Sequence, residues 1–181
     1  MLLQASSSLL LVIDIQSKLA PHIDQAEQVI AATDWLIGVA RELGVPVRAT
    51  EQYPQGLGST VPEIAAWLKP EEIWQKIHFS ACREVPIAQQ LAALQRPQIV
   101  LAGTEAHVCC LQTAAGLLAS GYAVFLVEEA LGSRRDSDKQ AALARLQQAG
   151  AQRVTREMVA FEWLEQADSA IFRKVSRQWI K

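Results

Sequence analysis

The sequence is short of cysteine, histidine and long apolar runs, and each shortage excludes something. Three cysteines in 181 residues leave one over after any pairing. That argues against a disulfide framework and for a reducing compartment. The three histidines, His22, His78 and His107, lack metal-ligand spacing, so no metal site is expected. No apolar stretch approaches bilayer length. The one nearest the start, Leu9 to Ile13, is strand-sized, and the first charge, Asp14, follows it, unlike the basic start of a signal peptide. Seventeen Lys and Arg against 19 Asp and Glu give a formal charge of −2, and the basic clusters are short. Nothing forms a footprint for nucleic acid. A soluble, cytoplasmic protein is expected, without a nucleic-acid or membrane partner.

What the chain has is apolar segments of two lengths. Half the residues are hydrophobic, enough to core one domain over residues 1–181. Strands are expected at Ser8–Ile13, Val45–Ala49, Ile73–Ile77, Gln98–Ala102, Tyr122–Val127 and Gln152–Thr155. Helices are expected at Gln25–Leu43, Pro62–Leu68, Pro86–Leu94, from His107 onward, Ser137–Ala149 and Glu157–Gln166. Most strand segments run continuously apolar instead of alternating, which marks strands covered on both faces. The alternation of strand and helix predicts an α/β, three-layer α/β/α domain with a mainly parallel six-stranded sheet, Rossmann-like in class.

The chain is organised around Gln98 to Ala119. An apolar run ends at Gly103 and Thr104, and helical period takes over from His107, with Leu111, Ala114, Ala115 and Leu118 on one face. A strand turning into a helix presents unpaired N–H groups and the positive end of the dipole. Two cysteines sit at that turn, where a thiol pKa is expected to fall. Cys110 is in phase with Ala114 and Leu117, so it reads as a core residue. Cys109 is in phase with Gln112, Thr113 and Gly116, a polar and small face. The residues alone leave open a nucleophile at Cys109 or two buried structural thiols.

Two further groups stand at strand ends, where parallel sheets bind their ligands. Asp14 closes the first strand, as a site acid or as a turn or cap residue. Lys76 closes the third, solvated or partly buried and paired. Glu51 to Thr60 reads as a loop rich in turn residues, of the kind that carries function.

Three segments then line up: Leu-Val-Ile-Asp-Ile-Gln (Leu11 to Gln16), Gln-Lys-Ile-His-Phe-Ser-Ala (Gln75 to Ala81) and Gly-Thr-Glu-Ala-His-Val-Cys (Gly103 to Cys109). In order and spacing they resemble the isochorismatase-like cysteine hydrolases, a superfamily that includes nicotinamidases. The resemblance extends over nearly the whole chain. It implies a catalytic set of Asp14, Lys76 and Cys109, an oxyanion hole from the backbone N–H groups of Glu105 and Cys109, and a cis Thr104–Glu105 peptide. Gln16, Tyr53, Phe79 and His107, on the same loops, are the substrate-binding candidates. Nicotinamidases hold a metal through an Asp and two His after the second strand; here that region reads Glu51, Gln52 and Tyr53. True isochorismatases cleave a vinyl ether without a thiol.

The expectation is therefore a hydrolase without metal or cofactor that acts on a small amide-like or acyl molecule through a thioester at Cys109. An ester or carbamoyl substrate is the variant of that reading. A redox or binding protein, or an inactive scaffold, is the alternative from another class. A homo-oligomer, a dimer at least, is expected, with the tail from Ser169 (Ile171, Phe172 and Trp179 on a basic helix) or the helices around the site at the interface. The alternative is a monomer whose tail folds back over its own sheet.

Overall fold

β1 (Ser8–Ile13) and β4 (Gln98–Gly103) lie side by side at the centre of a six-stranded sheet in a computed structural model that describes residues 1–180. Both are buried at every residue, which is why neither alternates. β2 (Val47–Gln52) and β3 (Ile73–Lys76) extend the sheet on one side, β5 (Ala123–Leu131) and β6 (Gln152–Val154) on the other. The order is β3-β2-β1-β4-β5-β6. Every pairing is parallel, so the sheet is all-parallel where a mainly parallel one was expected.

The helices are α1 (Ala26–Glu42), α2 (Pro54–Leu57), α3 (Pro62–Ala65), α4 (Val85–Ala93), α5 (Leu111–Ala119), α6 (Asp136–Gln148), α7 (Arg156–Leu164) and α8 (Ala170–Val175). Successive strand side chains point to opposite faces, and the sheet sorts its apolar residues accordingly. Leu10, Val12, Val100 and Phe125 pack with Val29 and Leu36 of α1, Trp163 of α7 and Val175 of α8. Leu9, Leu11, Ile99 and Leu126 pack with Leu91 of α4, Leu117 of α5 and Leu143 of α6. Each such side chain contributes about 1.5–3 kcal/mol by leaving water. The three-layer α/β/α fold follows.

Two strand ends differ from the sequence reading. β2 starts at Val47 and runs on through Glu51 and Gln52, and β5 continues past Glu128 and Glu129 to Leu131. In each case polar residues at the carboxyl end look like loop, yet a neighbouring strand pairs with them: Gln52 opposite Lys76, Leu131 opposite Gly103. The tail folds back over its own domain. Ile171, Phe172, Trp179 and Ile180 pack on the core under α1, and Trp35 donates its indole N–H to the Trp179 carbonyl. The Trp179 ring lies against Gly38, where any Cβ would run into it.

Sheet order reverses between β1 and β4, since β1 turns toward β2 and β4 toward β5. The crevice at the carboxyl ends of such a pair is where open parallel sheets bind ligands. Asp14 and the turn bearing Cys109 are what these two strands deliver there.

Candidate active site

Asp14 follows β1 with φ 53°, a left-handed conformation that an aspartate tolerates better than most residues. This bend turns its carboxylate under the sheet's end, fully buried. Oδ1 accepts the Thr50 hydroxyl at 2.7 Å. Oδ2 stands 2.8 Å from Lys76 Nζ as an ion pair but has no aligned hydrogen-bond donor. The ammonium spends its protons elsewhere, on Gln52 Oε1 at 2.7 Å and the Phe79 carbonyl at 3.1 Å, with the His78 carbonyl at 3.4 Å. The pair is thus buried and fixed, with one carboxylate oxygen left without an aligned donor.

β4 reaches the same point through a lashing of backbone. Thr104 N–H donates to the Ile13 carbonyl at 2.9 Å, and its hydroxyl donates to the Asp14 carbonyl at 2.6 Å. Gly103, with φ 146°, passes so close to Ile13 that a Cβ would overlap the Ile13 carbonyl. A π-helical turn, Ala106–Cys110, then precedes α5. Such widened turns recur at functional sites. It brings Cys109 to Asp14 and Lys76, close enough for both side chains to act on its thiol.

Cys110 points elsewhere, its thiol donating to the Thr104 carbonyl at 3.2 Å. Both cysteines are buried, at 4% and 1% exposure, so the polar face assigned to Cys109 is not an exposed one.

The expected lowering of the thiol pKa does not hold. Burial, followed by the neighbouring Asp14 carboxylate, pushes the Cys109 thiol up to about 12, while Lys76 pulls it down. A thiolate there would sit dry beside an existing negative charge, and the favourable ammonium is already paired to that charge. The resting site is therefore a neutral thiol beside an aspartate–lysine ion pair.

The cis Thr104–Glu105 peptide is also not found, since no cis bond occurs among the described residues. The chain turns through Glu105 instead, at φ 53° and ψ 56°. Ala106, Val108 and Cys110 N–H groups around the turn are committed to the carbonyls of Gly132 and Glu105.

The four substrate-binding candidates divide. Tyr53 and Phe79 are about half exposed, at 53% and 52%. Both border the ion pair: Tyr53 N–H donates to the Lys76 carbonyl at 2.9 Å, and the Phe79 carbonyl accepts from Lys76. Gln16 is fully buried and works as a clamp, accepting from Gln52 N–H at 2.8 Å and donating to the Gln52 and Gly58 carbonyls. Its amide is thus bonded to backbone through both its oxygen and its nitrogen. His107 faces Ser133 Oγ at 3.0 Å and Glu105 Oε2 at 3.3 Å.

Thr50, Gln52 and Thr104 hold Asp14 and Lys76 in place, and the sequence reading missed them. Extending β2 by three residues would have placed Gln52 opposite Lys76 and found it.

The stretch where nicotinamidases bind metal does not fit an ion. Glu51 Oε1 accepts from Thr60 N–H at 2.7 Å and the Thr60 hydroxyl at 2.8 Å, while Gln52 holds Lys76. No group of three or more His, Cys, Asp or Glu among the described residues is arranged for a metal.

Residues 8–158 match the isochorismatase domain. This chain belongs to the isochorismatase family. Isochorismatase domain-containing protein 2 of Bos taurus is 39% identical over 94% of this chain and 82% of its own. The MAR1 ribonuclease of Caenorhabditis elegans is 35% identical, with a TM-score of 0.93 over 100% of this chain and 93% of that one. YcaC of Escherichia coli, described as an octameric hydrolase of unknown specificity, superposes with a TM-score of 0.92 at 23% identity over 99% and 91%. At the level of reaction class the chain is an isochorismatase-family hydrolase. No helix among its described residues is long and apolar enough to cross a membrane.

Proposed function

We propose that this isochorismatase-family hydrolase is a metal-independent, single-domain enzyme that cleaves a small amide-like or acyl substrate through a thioester at Cys109. The observation that carries the reading is Asp14 Oδ2, a buried carboxylate oxygen with no aligned donor, paired with Lys76 at 2.8 Å beside a neutral thiol. As sulfur attacks the substrate carbonyl, its proton passes to Asp14 and the new S–C bond pushes an electron pair onto the carbonyl oxygen. Lys76 compensates the charge left at sulfur during transfer. The N–H groups of Glu105 and Cys109 stabilise the oxyanion. Collapse expels the leaving group, which takes the proton back from Asp14. Water, deprotonated by the same carboxylate, then attacks the thioester, and Cys109 recovers its proton as the acid departs.

Tyr53 and Phe79 flank the substrate at the mouth, and no cofactor takes part. An ester or carbamoyl compound would follow the same steps. The three unpaired cysteines fit the reducing cytoplasm we assign to the protein. The octameric state described for E. coli YcaC supports a homo-oligomer. A redox sensor or inactive scaffold would have no use for a buried lysine trained on an aspartate.

The C. elegans protein described as a ribonuclease brings RNA forward as a second substrate class. The formal charge of −2 gives a polyanion little general attraction.

The deciding experiment is intact-mass spectrometry of the protein incubated with panels of small amides, esters and carbamoyl compounds, beside Cys109→Ala. An acyl mass on the parent alone is the expected result. Turnover by the alanine variant would refute the thioester, and cleavage of RNA oligonucleotides, lost in that variant, would move the substrate to nucleic acid.

A further inference from the structure

The acyl-transfer reading uses only the backbone N–H of Glu105, yet its side chain is also built into the site's wall. The carboxylate is 11% exposed. Oε1 meets Arg134 Nε at 2.8 Å, and Oε2 faces His107 Nδ1 at 3.3 Å without an aligned hydrogen bond. His107 is in turn held by Ser133, Arg134's neighbour in sequence. Backbone bonds join the same two segments: Ala106 N–H donates to the Gly132 carbonyl at 2.8 Å, and Gly132 N–H to the Gly103 carbonyl at 3.0 Å. Loop 132–134, after β5, therefore braces the Glu105 turn through main chain and side chain together.

The brace matters because of what Glu105 must do. At φ 53° and ψ 56° it holds a conformation that a non-glycine residue keeps only when its surroundings over-determine it. The direction of its N–H is set by that conformation. Its carbonyl is fixed from the far side, accepting from Val108 N–H at 2.8 Å and Cys110 N–H at 3.3 Å. The remaining anchor is the carboxylate, and Arg134 is its closest charged partner.

We propose that Arg134 is a positioning residue for acyl transfer: its guanidinium holds the Glu105 carboxylate, and through it the left-handed turn that aims a backbone N–H at the developing oxyanion. The inference rests on the thioester reading for Cys109. Arg134 itself is 58% exposed and carries little of the core, so its removal spares the fold.

Two reactions of Cys109 separate this role from a structural one. Iodoacetamide alkylates the thiolate by direct displacement: the thiol proton has already gone to solvent, the S–C bond forms and iodide leaves with its electron pair. No oxyanion arises. p-Nitrophenyl acetate acylates the same sulfur through a tetrahedral oxyanion and releases p-nitrophenolate. Arg134→Ala should slow acylation by about 10- to 100-fold, the scale of a misaimed oxyanion donor, and leave alkylation unchanged. Arg134→Lys, which keeps a cation for Oε1, should recover most of the acylation rate. Glu105→Gln, which preserves shape and weakens the ion pair, should lose acylation alone and to a smaller degree.

Acylation of Arg134→Ala at the parent's rate would overturn the proposal, as would parallel loss of both reactions. A parent that is alkylated but never acylated at Cys109 would instead overturn the thioester reading, and the role of Arg134 would fall with it.

Discussion

Lys76 Nζ and Asp14 Oδ2 stand 2.8 Å apart with neither side chain exposed to solvent. A buried pair of this kind is costly to break and of modest net benefit to keep, because removing one charge strands the other in a dry site. Lys76→Met should therefore destabilise the protein by about 3–5 kcal/mol and abolish turnover. Asp14→Asn leaves the ammonium with Gln52 and two carbonyls, so its stability loss should be smaller, with turnover equally lost. The double variant should regain much of the stability and none of the activity. Thermal melts of the three proteins check this; a double variant less stable than either single one would show that the pair is not the coupled unit described.

The Cys109 thiol carries its own signature. Its pKa is raised to about 12, with the Asp14 charge among the causes and Lys76 opposing. Removing the negative charge should therefore lower the pKa. Asp14→Asn, although dead in turnover, should be alkylated by iodoacetamide faster than the parent at neutral pH. Equal or slower labelling would show that the carboxylate does not act on the sulfur.

The same shift makes stability depend on alkaline pH. A thiol protonated to about pH 12 when folded and only to about 8.5 when unfolded binds more protons in the native state across that window. Its contribution is fully present below the unfolded value and is lost as pH rises toward the folded one, at up to about 1.4 kcal/mol per pH unit. Cys82 and Cys110 are raised as well and act in the same direction. Denaturant melts from pH 8 to pH 11 should show a shallower decline for Cys109→Ala than for the parent. Identical slopes would mean that Cys109 is an ordinary exposed thiol.

Sequence and structure agree where one physical signal dominates. Leu9 to Ile13 is apolar without a break because β1 is buried on both faces, and the pattern located the strand to the residue. Asp14, Lys76 and Cys109 were each legible as a candidate at a strand end or helix start, and the resemblance of three segments joined them into a set. Gln52 and Thr50 were not, since a polar strand end reads as loop until its partner strand is known. The thiol pKa was misjudged for a similar reason: a helix N-terminus is a local feature, whereas burial beside Asp14 is a consequence of packing. The brace from Arg134 to Glu105 joins two loops after different strands, and nothing local in either announces the other.

Metal dependence turns on Glu51. Its Oε1 already accepts two hydrogen bonds from Thr60, and its neighbour Gln52 accepts from Lys76. Turnover should survive prolonged dialysis against EDTA, with elemental analysis finding no stoichiometric ion. Loss of activity on chelation, restored by zinc or manganese, would show that this strand end rearranges to bind metal.

The tail decides how the chain is expected to assemble. α8 and the turn Ser176–Ile180 cover α1, with Trp179 against Gly38 and tilted 53° to Trp67 at 6.1 Å. The apolar tail residues are thus spent on the chain's own core, and a contact between copies has to come from elsewhere. Tyr53, Ile77, Phe79 and Val85 are each at least half exposed. They lie on segments joined by hydrogen bonds: the Ile77 carbonyl accepts from Gln52, and Ile77 N–H donates to Glu84, which precedes Val85. Apolar area of this kind at a site's mouth marks a contact. Ile77→Asp with Val85→Asp should therefore shift light scattering toward a species near the 19.9 kDa of one chain. Gly38→Val, which expels Trp179, should lower thermal stability by about 1–3 kcal/mol, the cost of overpacking, and leave the mass per particle unchanged. If the tail variant dissociates the particle and the mouth variant does not, the contact runs through α8 after all.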